Sequence, residues 1–413
     1  MEQDDRRAML QPSIYRLRHQ DMLLLCVLAL LALGTIMVHS ASMSVANASA
    51  GARWHWTEAG TRHVVFVAIA LVTFFAVGHI DYRRLGRGTW WRNPIIWSLG
   101  IAFVACVLVL VPGIGHEVNG ARRWYQFGRI QIQPSELGKW AVVLLLAWLF
   151  ATRPIDTNRL WGFILAMVPV GAICLLIIIE DFGTAALIGL CALSVCLAGR
   201  VRLWHLGVVV PPVIAVGLWF VMHKEYRWKR MVAFLDPYAA PEREGYHMIQ
   251  SLLSFSTGGV FGRGLGRGIQ KLGYLPEDTT DFIFAVIAEE LGLFGGLLTI
   301  ALYLGILYVA WQAIRQIKDS FGQLLAFGVG AMIGLQALIN IAVATVSVPP
   351  KGLSLPLVSA GGSGLVITSA ALGILYSVCR SIEGSAVQSE PKWVCHRQAD
   401  GTGETGTTAM GMS

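Results

Sequence analysis

Asp281 closes the polar run Pro276-Glu277-Asp278-Thr279-Thr280 and opens an apolar stretch, DFIFAVIAEELG. A carboxylate in a partly apolar mouth can act as a general base. The same position suits a helix cap, because Asp and Thr favour N-caps and a carboxylate favours the positive end of the helix dipole. Spacing alone leaves both readings open. Glu277, four residues earlier, is a weaker second candidate.

Glu136 and Lys139, in QPSELGKW, are three apart at the start of an apolar run. On a helix they share a face and can pair. Ionisable groups in membrane spans are costly and face a cavity or a partner. The pair is therefore either a structural ion pair or the wall of a polar cavity. Glu289 and Glu290 lie about two turns beyond Asp281; being adjacent, they point to different faces, so at least one meets other helices. Glu180-Asp181 read as a solvated turn between two apolar runs.

A basic set, Arg122, Arg123, Lys224, Arg227, Lys229, Arg230 and Lys271, is interleaved with Trp124, Tyr226 and Trp228. Taken one at a time, such residues are membrane-interface anchors. As a set they want an anion, and a lipid pyrophosphate would serve. Gly262, Gly264, Gly266 and Gly268 lack the GK[ST] ending of a phosphate loop, so a close-packed turn is the better reading. The segment from Gly245 to Phe255 puts Met248, Leu252 and Phe255 on one face, as in an interfacial helix. The stretch VPPKGLSLPLVSAGGSG (348–364) breaks the apolar pattern; non-helical backbone at membrane depth survives only inside protein or along a cavity. Gln336 and Asn340, four apart, are expected to make interhelical hydrogen bonds. No HExxH, GxSxG or Walker pattern occurs, which argues against metalloprotease, serine hydrolase and ATPase chemistry.

The elements that position these residues follow from composition. Of 413 residues, 55% are hydrophobic and 14% charged, against roughly a quarter charged in a soluble protein. Apolar runs near 20 residues recur throughout, predicting an all-α polytopic membrane protein. The runs lie at 22–38, 62–80, 94–112, 134–151, 160–179, 183–199, 205–223, 281–311, 322–346 and 361–380, or about ten spans. The predicted domains are an N-terminal tail (1–21), a transmembrane domain (22–380) with a large loop at 224–280, and a disordered polar tail (381–413). Arginine and lysine concentrate in alternate short loops, which predicts N-in and C-in, and an extracytoplasmic loop between spans 7 and 8. The net charge of +7 then belongs to the membrane flanks and is no nucleic-acid signal. The seven cysteines show no CxxC or metal-ligand spacing and read as packed small hydrophobes.

Four stretches, GARRWYQFGRIQIQPSELGK (120–139), EDFGTA (180–185), QKLGYLPEDTTDFIFAVIAEELG (270–292) and KGLSLPLVSAGGSG (351–364), resemble the SEDS family of peptidoglycan glycosyltransferases (FtsW, RodA and SpoVE). The pattern is nearer the division branch (FtsW-like) than the elongation branch (RodA-like). Ala360 replaces the tyrosine common in the SYGGS motif, and Thr279 replaces the His of HTDF. The resemblance implies that Asp281, the Asp of TDF, is the catalytic residue and that Glu136 and Lys139 are functionally important. It further implies lipid II as substrate, a class B penicillin-binding protein and other division proteins as partners, and the bacterial cytoplasmic (inner) membrane at the septum as location. Asp281 would be the general base, with Arg122, Arg123, Arg227, Lys271, Glu277 and Glu290 as substrate-binding candidates. No metal ligands are identified, though a divalent cation (Mg or Mn) can assist a pyrophosphate leaving group. Competing readings are a lipid II flippase, to which the intramembrane charges would lend a path, an elongation-type polymerase, and a scaffold that only recruits its partner. The absence of visible repeat symmetry counts against a transporter.

Overall fold

A computed structural model describes residues 18–42, 58–88, 90–118, 121–128, 130–152, 154–223, 225–239, 241–242 and 245–389. The expected N-terminal tail up to residue 17, most of the expected polar C-terminal tail, Lys224, the Tyr226 side chain and Cys395 lie outside the described residues. The other six cysteines are free thiols.

The chain is helical and apolar, as its composition requires. In order, the long helices are α1 (His19–Ala41), α2 (Glu58–His79), α3 (Pro94–Val109), α4 (Pro134–Thr152), α5 (Leu160–Glu180), α6 (Phe182–Ala198) and α7 (Leu203–Met222). They continue with α8 (Glu225–Leu235), α9 (Tyr246–Gly258), α10 (Ile283–Gln316), α11 (Ser320–Ala344) and α12 (Ser363–Ser389). Eight of them are long and apolar enough to cross a membrane. The helices α3 and α6 match two further predicted spans, but at 16 and 17 residues they would rise only about 24–26 Å, short of a ~30 Å hydrocarbon core. Local chemistry sets several boundaries. Asn93 caps α3 by accepting from the Ile95 N–H, ahead of Pro94 at the first helical position. Asp319 caps α11 through the amides of Phe321 and Gly322. The last helix runs on to Ser389, past the tail boundary placed at residue 381 from composition.

Helix α10 is broken. Gly292 has φ 67° and ψ −160°, a conformation only glycine adopts without strain. The break divides a 34-residue element into a short half that follows Asp281 and a long half that returns through the apolar layer.

The loop at 224–280 is largely built. The helices α8 and α9 occupy its first half, and a Gly-rich segment runs from 259 to 282. On α9, Met248, Ser251, Ser254 and Gly258 are buried against the protein, Phe255 is half-buried and Leu252 is exposed. Small side chains line the packed face because α9 lies very close to α10. A Cβ on Gly258 would come within 2.0 Å of the Ala288 carbonyl oxygen.

A small antiparallel sheet was not foreseen. Strands β1 (His116–Val118), β2 (Ala121–Phe127) and β3 (Ile130–Ile132) pair in order between α3 and α4, with Glu117 opposite Arg122 and Tyr125 opposite Ile132. The segment 348–362 is unwound, as the sequence suggested, and its leucines are buried. Leu353, Leu355, Leu357 and Val358 are all in the core. Gly34 of α1 lets it approach, since a Cβ there would stand 2.7 Å from the Val358 carbonyl oxygen, and the Tyr303 hydroxyl donates to the Pro356 carbonyl. The sheet, the α5–α6 junction, the start of α10 and the unwound segment all meet at one end of the helix bundle.

Candidate active site

Asp281 lies at that meeting point, half-buried, and does not cap its helix. The N-cap of α10 is Phe282, and no side chain makes a capping hydrogen bond there. The reading of Asp281 as a simple cap is thereby removed, leaving the carboxylate available for other work. Gly352 of the unwound segment presses against it: a Cβ at that position would stand 3.2 Å from Asp281 Oδ2 and 3.8 Å from Arg123 Nη1. Arg123 thus shares the small space around the carboxylate. Burial pushes the Asp281 pKa up to about 7, with Glu277 and Asp181 raising it further and Arg123 and Arg230 opposing.

The α5–α6 turn supplies a second carboxylate. Asp181 is buried and is not the solvated turn residue expected from sequence. It caps α6 through the Thr184 amide at 3.0 Å and hydroxyl at 2.8 Å, and pairs with Arg123 at 3.4 Å. Gly183 packs against the Lys351 stem, and the Lys351 ammonium lies 3.7 Å from the centre of the Phe182 ring, in cation–π range. Burial lowers the Lys351 pKa to about 8, with Asp181 opposing the shift and Arg227 adding to it. Lys351 was not among the expected site residues; the break in apolar pattern beside Pro349-Pro350 was the signal available for it.

Glu277 is exposed, sits at φ 56° and accepts the Thr280 hydroxyl at 2.8 Å. Its neighbour Asp278, not singled out from sequence, is pushed up to about 7 by burial, against hydrogen bonds from the Thr279 and Asp278 backbone. Arg122 is held at the rim: its amide donates to Glu180 at 2.8 Å and its guanidinium pairs with Glu117 at 3.1 Å. A groove beside it is lined by Arg122, Arg123, Ser135, Glu180 and Asp181.

The remaining predicted residues are satisfied elsewhere. Arg227 is buried and donates to the carbonyls of Ile178 and Ile179 at 3.2 and 3.0 Å, bracing the end of α5. Lys271 and Glu290 form a buried ion pair at 2.7 Å, joined by Ser40, which receives from Lys271 and donates to Glu290. The Gly run wraps the two glutamates. Glu290 accepts the amides of Gly266 and Gly268, and Glu289 accepts those of Ile269 and Gln270. The glycines do form an anion cradle, and the chain's own carboxylates fill it. Both glutamates are fully buried, more than the one that adjacency required.

Glu136 and Lys139 pair at 2.8 Å, with Lys139 wholly buried and donating to Gln336 Oε1 at 2.8 Å. A small cavity beside them is lined by Glu136, Gln336, Ser354, Ser359 and Thr368. No group of three His, Cys, Asp or Glu side chains among the described residues converges on a metal-sized site.

The geometry is that of a half-buried carboxylate, Asp281, with Arg123 beside it and further acidic and basic side chains around it, at the end of an apolar bundle. The family profile described as cell cycle protein, covering FtsW, RodA and SpoVE, matches residues 20–383. A relative from Alkalilimnicola ehrlichii, named probable peptidoglycan glycosyltransferase FtsW, is 38% identical over 379 residues, covering 90% of this chain and 91% of its own. One of the same name from Nitrosococcus halophilus is 39% identical over 380 residues, covering 89% and 92%. Among solved structures, a chain from a peptidoglycan synthase complex, studied for how it coordinates polymerization and crosslinking, aligns with TM-score 0.68 and 27% identity over 87% of this chain and 97% of its own. The rod shape determining protein RodA of Thermus thermophilus aligns with TM-score 0.63 and 26% identity over 90% and 99%.

Proposed function

Since the chain belongs to the FtsW, RodA and SpoVE family, we propose that it is a peptidoglycan glycan-strand polymerase in which Asp281 is the general base. The observation that carries the reading is the Asp281 carboxylate itself: half-buried, not used as a cap, pushed up to about 7, and sharing its space with Arg123. A base works best with a pKa near the operating pH.

The acceptor sugar's 4-hydroxyl gives its proton to Asp281 as its oxygen attacks the anomeric carbon of the lipid-linked donor. The new C1–O bond forms while the C1–O bond to pyrophosphate breaks, and the electron pair leaves on the lipid pyrophosphate. Attack opposite the leaving group inverts the anomeric centre. A glycosidase needs a second carboxylate as acid to protonate a poor leaving group. Pyrophosphate leaves without that proton when cations meet its charge, and Arg123, Lys351 and Arg230 are the cations grouped around the base. Among the described residues no three acidic or imidazole side chains converge, so this chain's own groups do not build a site for a divalent cation such as Mg or Mn, and the charge on the leaving group is assigned to the basic side chains. Glu136 and Lys139 act from behind the site, since Lys139 has no solvent access.

With the N-terminus inside, the site faces outward, where lipid II presents its sugars. The names and identities of the relatives support a division role at the septum over an elongation role, and the synthase complex supports a class B penicillin-binding protein as partner. Purified protein given labelled lipid II, with and without such a partner and beside Asp281→Ala, tests the proposal. Strands from the wild type and none from the variant support it. Lipid II that crosses vesicle bilayers without being joined would make the protein a flippase.

A further inference from the structure

Gln336 and Asn340 are one helical turn apart on α11, so both amides leave the same face. Both are buried. Gln336 Nε2 donates to the Ser354 carbonyl at 2.8 Å, and Asn340 Nδ2 donates to the Leu353 carbonyl at 2.6 Å. They were expected to join helix to helix; they grip the unwound segment instead, and only Gln336 also reaches another helix, through Lys139.

Asn340 Nδ2 makes a second bond, to the main-chain carbonyl of Asp281 at 2.8 Å. Two carbonyl oxygens at one end of the amide require that end to be the NH2 group. The Asp281 carbonyl is open to this bond because the helix starts late. The Ala285 N–H, which a regular helix would send to Asp281, goes to Phe282 at 2.9 Å. The preceding carbonyls are held from the same segment: Thr279 by the Ala360 amide at 2.9 Å and Thr280 by the Ser359 hydroxyl at 2.6 Å. Asn340 is the side chain that ties Asp281 and the Leu353 backbone to one point, one residue from the Gly352 that abuts the carboxylate.

Building on the assignment of Asp281 as base, we propose that Asn340 is a positioning residue for the transfer reaction: its amide fixes the Asp281 main chain to the unwound segment and so sets the carboxylate against Gly352 and Arg123. Through Gln336, the buried Lys139–Glu136 pair anchors the same segment, which gives that pair a part in the reaction without contact to substrate.

The test compares wild type, Asn340→Ala, Asn340→Ser and Asp281→Asn in lipid II polymerisation over pH 5.5–9, roughly the range on either side of the expected base pKa. Misplacing a reacting group by about 1 Å costs on the order of 10²-fold, so Asn340→Ala should lower kcat about 10–100-fold with KM nearly unchanged. Its acid limb should also move below the wild-type position near 7. A carboxylate freed from its packing regains water and ionises more readily, with Glu277, Asp181, Arg123 and Arg230 still facing it. Asn340→Ser, which keeps one donor, should fall between. A wild-type kcat, or an even loss of rate at every pH with an unmoved limb, overturns the proposal, and so does failure of both variants to fold. An active Asp281→Asn overturns the general-base reading instead, which keeps the two outcomes apart.

Discussion

Gly352 closes on Asp281 so tightly that a methyl group on its Cα would stand 3.2 Å from the carboxylate oxygen Oδ2. The unwound segment and the start of α10, distant in sequence, thereby form one wall. Gly352 is exposed, so the wall is also the mouth of the site.

Gly352→Ala should displace the carboxylate without unfolding the bundle. The carboxylate must give by only a few tenths of an ångström, so the expected result is a several-fold fall in polymerisation rate, with a thermal melting point close to wild type. Unchanged strand synthesis would show that Asp281 has room to work without this contact.

Asp281→Asn should lose roughly 10²–10⁴-fold in rate. In the wild type, activity should rise with pH through about 7, because only the ionised carboxylate accepts a proton. Stability has the opposite slope. The folded protein holds this proton up to about 7 and the unfolded chain releases it near 3.8, so the carboxylate's contribution to stability falls as pH rises between those values. Asp281→Asn should therefore melt no lower than wild type at pH 8, a point that differential scanning in detergent can check.

Lys139→Met should destabilise strongly and loosen the unwound segment that Gln336 ties to it. Removing one member of a buried ion pair strands the other charge and costs about 3–5 kcal/mol. Glu136→Gln in the same chain should restore a large part of the lost melting temperature. An additive double variant would mean that the two side chains do not depend on each other.

Lys271→Met tests whether the Gly-rich segment is held by its glutamates. Loss of the cation leaves Glu290 with Ser40 and the amides of Gly266 and Gly268, against a full burial. The segment 259–272 should become sensitive to limited proteolysis, and the melting point should fall. If neither changes, backbone donors alone suffice for both carboxylates.

Much of this was legible in the chain itself. Apolar runs of membrane length specify helices because backbone groups in hydrocarbon must bond within their own segment. Those runs and their breaks at 224–280 and 348–364 could be read from spacing and residue type, whereas spacing left Asp281 open between a helix cap and a base. Resemblance then narrowed the chemistry to glycosyl transfer. The antiparallel sheet at 116–132 was missed because short strands flanked by apolar runs give a weak alternating signal.

The partners of each charged side chain were decided only by the tertiary structure. Spacing put Glu136 and Lys139 together because they share a helix face. It had no means of pairing Lys271 with Glu290 and Ser40, Arg123 with Asp181, or Asn340 with the backbone at Asp281, since these contacts join segments that meet only after the helices pack. Sequence did not tell which charged candidates line the site and which brace the frame. Burial sorted them, because a charge removed from water must find its counter-charge or hydrogen bonds inside the protein. Arg227, Lys271 and Glu290 found theirs in the frame, and Asp281 was left at the mouth with Arg123 beside it.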